Sequence, residues 1–96
     1  MTRHFSKSSA IVERKIRDEH LLVPIARTEA TLDGFFVLNE TAQFIWTQAI
    51  AGRDEEDIAV QLAAEFDVSP AEAADDTRRV LDELLSIGAL RLKEDA

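Results

Sequence analysis

The sequence predicts an α+β domain in which three short strands come first and three helices follow. Three observations predict it. Apolar runs rich in β-branched residues and leucine, broken by polar gaps, lie within the first 38 positions. Asn39, Asp54 and Ser69 are each a good helix N-cap. After each cap, apolar residues recur at the i, i+3, i+4, i+7 spacing of a helix face.

Ile11 to Ile16 and Leu21 to Ile25 read as two antiparallel strands, separated by the polar gap Arg17-Asp18-Glu19-His20. Pro24 has no amide to give to a ladder, so the second strand bends or ends near it. Asp33-Gly34 is a turn signal that opens a third strand, Phe35 to Leu38, apolar on both faces.

The first helix starts at Asn39, with Glu40 suited to the positive end of its dipole and Gly52 supplying a stop. Ala42, Ile45, Trp46, Ala49 and Ile50 form its core stripe. Phe44 lies roughly opposite that stripe at about 100° per residue, which predicts packing against the sheet ahead of the alternative, a contact with a partner. Asp54 caps the second helix, with Glu55, Glu56 and Asp57 at its positive end and Ile58, Ala59, Leu62, Ala63 and Phe66 on its buried side. Ser69-Pro70-Ala71-Glu72 combines a capping serine, proline at the first helical position and glutamate three residues after the cap. Ala73, Ala74, Thr77, Val80, Leu81, Leu84 and Leu85 then give the third helix a broad apolar stripe up to Gly88, and Ala89 to Leu92 reads as a short tail.

Ninety-six residues support one modest core, and an apolar fraction of 46% suits a globular chain. No apolar run approaches the roughly 20 residues of a membrane span, and the N-terminus lacks a signal-peptide pattern, so a cytoplasmic location is expected. Cysteine is absent, which removes disulfides and thiolate chemistry together. Residues 1–32 carry a charge of +2 and residues 33–96 a charge of −10. So acidic a surface repels nucleic-acid phosphate but attracts segments carrying Lys or Arg.

Chemistry-bearing patterns are sparse. His4 and His20 read as solvated surface residues. Asp54 to Asp57 and Asp75-Asp76 supply carboxylates, but neither spacing is that of a calcium loop. Three glycines leave little material for a phosphate loop or a nucleophile elbow. The residues therefore predict no enzyme, no metal and no cofactor.

The segment Leu38-Asn39-Glu40-Thr41-Ala42, continuing to Ile45-Trp46, resembles the PqqD family of peptide-recognition proteins. The order of strands, glycine-ended helix, Ile58-Ala59-x-x-Leu62-Ala63 helix and Val80-Leu81-x-x-Leu84-Leu85 helix extends the likeness over residues 10–92. It implies a winged-helix-like fold, a three-stranded antiparallel sheet followed by three helices, with residues 1–9 a flexible lead-in and 93–96 a tail. It also implies a non-catalytic role: binding the leader segment of a ribosomally made precursor peptide and presenting it to a modifying enzyme, often a radical SAM protein. Ala30-Thr31-Leu32-Asp33-Gly34 stands where proteins of pyrroloquinoline quinone synthesis carry a Pro-Glu-Gly-like element, which points to some other modified peptide, such as a lasso peptide.

By position, Phe35, Phe36, Val37 and Leu38 are expected as the strand wall of a peptide groove, with Asp76, Arg79, Val80 and Glu83 on the facing helix. An edge strand supplies unpaired backbone groups to an added peptide strand, and flanking side chains supply selectivity. Leu38 and Val80 fit a core role equally well. Two rival readings stand beside this one. One is an acidic winged-helix-like DNA-binding or regulatory protein, against which residues 70–87 set five acids and only Arg78 and Arg79. The other is a structural module in which the third strand pairs with its own copy as a homodimer.

Overall fold

A computed structural model describes residues 2–24 and 36–93. Among these residues five strands and three helices occur in the order β1 (Phe5–Lys7), β2 (Ile11–Ile16), β3 (Glu19–Pro24), β4 (Phe36–Leu38), α1 (Glu40–Ile50), α2 (Glu55–Phe66), α3 (Pro70–Ser86) and β5 (Leu90–Leu92). Strands β2, β3 and β4 form the expected three-stranded antiparallel sheet ahead of the helices. The fold is α+β and winged-helix-like.

The hairpin joining β2 to β3 is tighter than the polar gap suggests. Ile16 pairs with Glu19, so Arg17-Asp18 alone makes the turn, and Glu19 and His20 belong to the strand. Arg17 takes φ +58°, a conformation that glycine adopts more readily. Strand β3 ends at Pro24, opposite Ile11. Ile25, the Asp33-Gly34 turn, the 30–34 segment and Phe35 lie outside the described residues.

Residues paired across a ladder share a face, which puts Ile11, Leu22, Phe36 and Leu38 together on the side that packs against the helices. Val37 falls on the opposite face and is 47% exposed.

Each helix begins where its cap sits. The Ala42 amide donates to Asn39 Oδ1 at 2.8 Å, the Asp57 amide to Asp54 Oδ1 at 2.8 Å, and the Glu72 amide to Ser69 Oγ at 3.1 Å. Helices α1 and α3 end alike. Gly52 (φ +99°) and Gly88 (φ +80°) follow the last turns, and the amides of Gly52 and Arg53 bond back to Ala49 and Gln48 as those of Gly88 and Ala89 do to Leu85 and Leu84. Helix α2 instead stops at Asp67, which itself adopts φ +56°.

The core joins the inner face of the sheet to Ile45, Trp46, Ala49, Ile58, Leu62, Ala73, Val80, Leu81 and Leu84. Ala74, placed on the apolar stripe by its spacing, is exposed. Phe44 is partly buried against the core, and its ring meets Phe66 of α2 edge-on, centroids 5.6 Å apart at 76°.

Within the segment expected as a flexible lead-in, β1 pairs with β5 (Phe5 with Leu92, Lys7 with Leu90) and Phe5 is 2% exposed in the core. The segment Ala89 to Leu92 is accordingly no tail: Gly88 turns the chain so that Ala89 and Leu90 are buried and β5 adds a second, two-stranded sheet. The Ser8 amide bonds to the Ala89 carbonyl and the Lys93 amide to the His4 carbonyl, both at 2.9 Å. Residues 94–96 lie outside the described residues.

Candidate functional site

The three-stranded sheet is ordered β2-β3-β4, so β4 is paired on one side only, through Leu22–Phe36, Leu21–Val37 and His20–Leu38. Among the described residues its other edge has no strand neighbour, and Phe36 and Val37 of this strand line a cleft walled by α3. The cleft holds about 320 Å³ and is lined by Phe36, Val37, Asn39, Thr41, Ala42, Asp76, Arg79, Val80 and Glu83. Six of the eight residues expected at a groove therefore meet here. Phe35 lies outside the described residues. Leu38, 4% exposed, is core, and Val80, also 4% exposed, is both core and cleft floor.

Asn39, Thr41 and Ala42 also line the cleft, although sequence spacing assigns Asn39 to helix capping, Ala42 to the core and Thr41 to neither. Their signal was the Leu-Asn-x-Thr-Ala run itself. The last residue of β4 leads through one cap residue into α1, so the first turn of that helix borders the end of the edge.

The electrostatics of the cleft are confined to α3. Arg79 Nη2 donates to Asp76 Oδ1 at 3.3 Å across an i,i+3 pair whose side chains are 62% and 34% exposed. Glu83 is exposed, one turn further on. The facing wall is apolar or neutral.

Two other depressions are larger, about 540 Å³ each. One, lined by Thr2, Arg3, Glu55, Glu56, Ala59, Ala74, Asp75 and Arg78, is crossed by ion pairs. Arg3 Nε donates to Glu55 Oε1 at 2.6 Å and its Nη2 to Oε2 at 3.2 Å, while its Nη1 stands 3.0 Å from Asp82. Bonding to Glu55, then to Asp82, outweighs desolvation and raises the affinity of Arg3 for its proton. The other depression runs along the exposed side of α3. Neither is lined by a residue of the β4 edge, so size does not choose the site; backbone valence does.

The histidines are less solvated than expected. His20 Nε2 lies 2.7 Å from Glu13 Oε2 with 17% of its side chain exposed, and His4 is partly buried beside β5. At the start of α2, the Asp57 amide first, then the Thr2 side chain, hold the Asp54 carboxyl below its ordinary range. Among the described residues no three His, Asp or Glu side chains are grouped to hold a metal ion, and no helix is long and apolar enough to cross a membrane.

Comparison with known proteins bears directly on this arrangement. The family model for PqqD, described as coenzyme PQQ synthesis protein D, matches residues 19–90. TbiB1, solved in complex with the TbiA(beta) leader peptide, is 26% identical at a TM-score of 0.74, over 94% of this chain and 99% of that one. A lasso peptide synthetase B1 complexed with the leader peptide is 21% identical at a TM-score of 0.77, over 92% and 98% of the two chains, and speaks to the fold. No curated protein is significantly similar to the chain. With most of its length matched, from the start of β3 to the start of β5, the chain belongs to the PqqD family.

Proposed function

We propose that the chain is a non-catalytic peptide chaperone, binding the leader segment of a ribosomally synthesised precursor as an added strand on β4 and presenting it to a modifying enzyme. The observation that carries this reading is the unpaired edge of β4 facing α3 across an open cleft. Backbone bonds along that edge supply sequence-tolerant affinity, and the α3 side chains supply choice. The leader-peptide complex of TbiB1, similar over almost its whole length, supports the same reading. Phe36, Val37, Asp76, Arg79, Val80 and Glu83 are the contact residues, with Leu38 behind them.

The enzyme served is one that modifies ribosomal peptides, a radical SAM protein or a lasso-forming one, and the Ala30 to Gly34 segment favours a product other than the quinone. Such a chaperone meets its substrate in the cytoplasm. The five acids on residues 70–87 favour a peptide ligand over a phosphate backbone.

The test is an NMR titration of labelled protein with a synthetic leader from a precursor gene encoded beside it. Shifts concentrated in residues 36–38 and 75–87 are expected. A folded monomer whose amides do not move would remove that peptide as ligand. A concentration-dependent dimer with β4 amides already protected would make a second copy the occupant of the edge.

A further inference from the structure

Asp76, Arg79 and Glu83 lie at i, i+3 and i+7 on one side of α3, where they line the cleft. At 1.5 Å of rise per residue the row is roughly 10 Å long. Its members are not equivalent. Asp76 and Arg79 bond to each other, and Asp82, the next carboxylate round the helix, is engaged by Arg3 at 3.0 Å. Among the described residues Glu83 has no cationic side chain within 4.0 Å, although Arg79 stands one turn before it. Among the described residues the opposite wall offers no charge, since Phe36, Val37, Asn39, Thr41 and Ala42 are apolar or neutral. Among the described residues the cleft therefore holds one internally satisfied ion pair and one carboxylate without a cationic partner.

We propose that Glu83 reads a basic side chain of the bound segment, so that the cleft selects extended peptides with Lys or Arg at one α3-facing position. The inference rests on the peptide-binding reading and narrows its ligand class. In an extended strand alternate side chains point the same way, roughly 6.7 Å apart, close to the roughly 6 Å of helix rise from Arg79 to Glu83. One peptide side chain thus meets the Asp76–Arg79 pair and the next meets Glu83. The chain's net charge of −8 adds a longer-range preference of the same sign.

A displayed library of random 12-residue peptides tests this whatever the sequence of the leader, by selection against the wild type, Glu83→Gln and Glu83→Lys. Residue 83 is exposed, so all three are expected to share one circular-dichroism spectrum and one thermal midpoint. Wild-type selections should enrich Lys or Arg at one position relative to the apolar anchors. Glu83→Gln should lose that enrichment and Glu83→Lys should replace it with Asp or Glu. For a single enriched peptide, exchanging its basic residue for Glu should weaken wild-type binding about two- to fivefold, as exposed ion pairs do, and leave Glu83→Lys unweakened. Enriched peptides without a basic preference, or a basic preference that survives in Glu83→Lys, would overturn the inference while leaving peptide binding intact. A folded wild type that enriches nothing would overturn the binding reading and this inference with it.

Discussion

Helix α3 has two flanks built from the same chemistry and put to opposite use. On one, Arg3 reaches from the N-terminal arm to grip Glu55 with two bonds and touch Asp82, and Phe5 seals the core beneath. On the other, Arg79 makes a single long bond to a neighbour on its own helix, beside a strand whose outer edge has no strand neighbour among the described residues. The first flank is closed by the chain itself. The second has the same ingredients, arginine, carboxylates and strand backbone, but its ion pair is exposed and lies within one helix. A surface is left open for a ligand where its charges are paired locally and its strand is paired on one side only.

The contrast breaks most severely at Phe5. Phe5→Ala empties a buried ring site and should cost about 3 to 5 kcal/mol, read as a fall in the urea midpoint by circular dichroism. A loss no larger than that of a surface residue would mean that the closed flank is not part of the core. On the open flank, N-methylating single amides of a bound leader should weaken binding about two- to tenfold at every second position and little between, because a strand shares alternate amides with its neighbour. Uniform sensitivity along the peptide would exclude strand addition.

The arginines give a closer comparison. Arg3→Ala should cost about 1 kcal/mol or less, since the pair is still one-fifth to one-third exposed, and Arg79→Ala no more than about 0.5 kcal/mol. Equal losses would erase the distinction between the flanks. The smallest effect is acid sensitivity at Asp54. Its folded carboxyl binds a proton less readily than the unfolded one, so its contribution is complete above the ordinary value of 3.8 and disappears as pH falls through the lower folded value. Asp54→Asn keeps a capping oxygen that does not titrate, and should flatten this part of the acid limb of a thermal-midpoint profile.

Much of the closed core was legible because its signals are local. Asn39, Asp54 and Ser69-Pro70 cap their helices within three residues of themselves, and the stripes they introduce repeat every turn. The β1–β5 sheet was not legible. Each strand is three residues long with one buried position, too short to show a period, and Phe5 meets Leu92 across nearly the whole chain. The partner of Phe44 on α2 was hidden for a related reason: its spacing shows that it leaves the α1 stripe, but only the packing of two helices brings Phe66 to it. The cleft was half legible. Asp76, Arg79 and Glu83 stand off their helix stripe in sequence, whereas the bare edge of β4 follows from strand order, which pairing alone decides.

Trp46 is the chain's single tryptophan, fully buried, and its indole Nε1 has no hydrogen-bond partner among the described residues. An indole so enclosed emits at the blue end of its range and shifts to the red only when water reaches it. Its fluorescence is therefore a gauge of the folded population and not of cleft occupancy, because Trp46 is absent from the cleft lining. A ligand that leaves this emission unchanged while moving the α3 amides would have been taken up without disturbing the core.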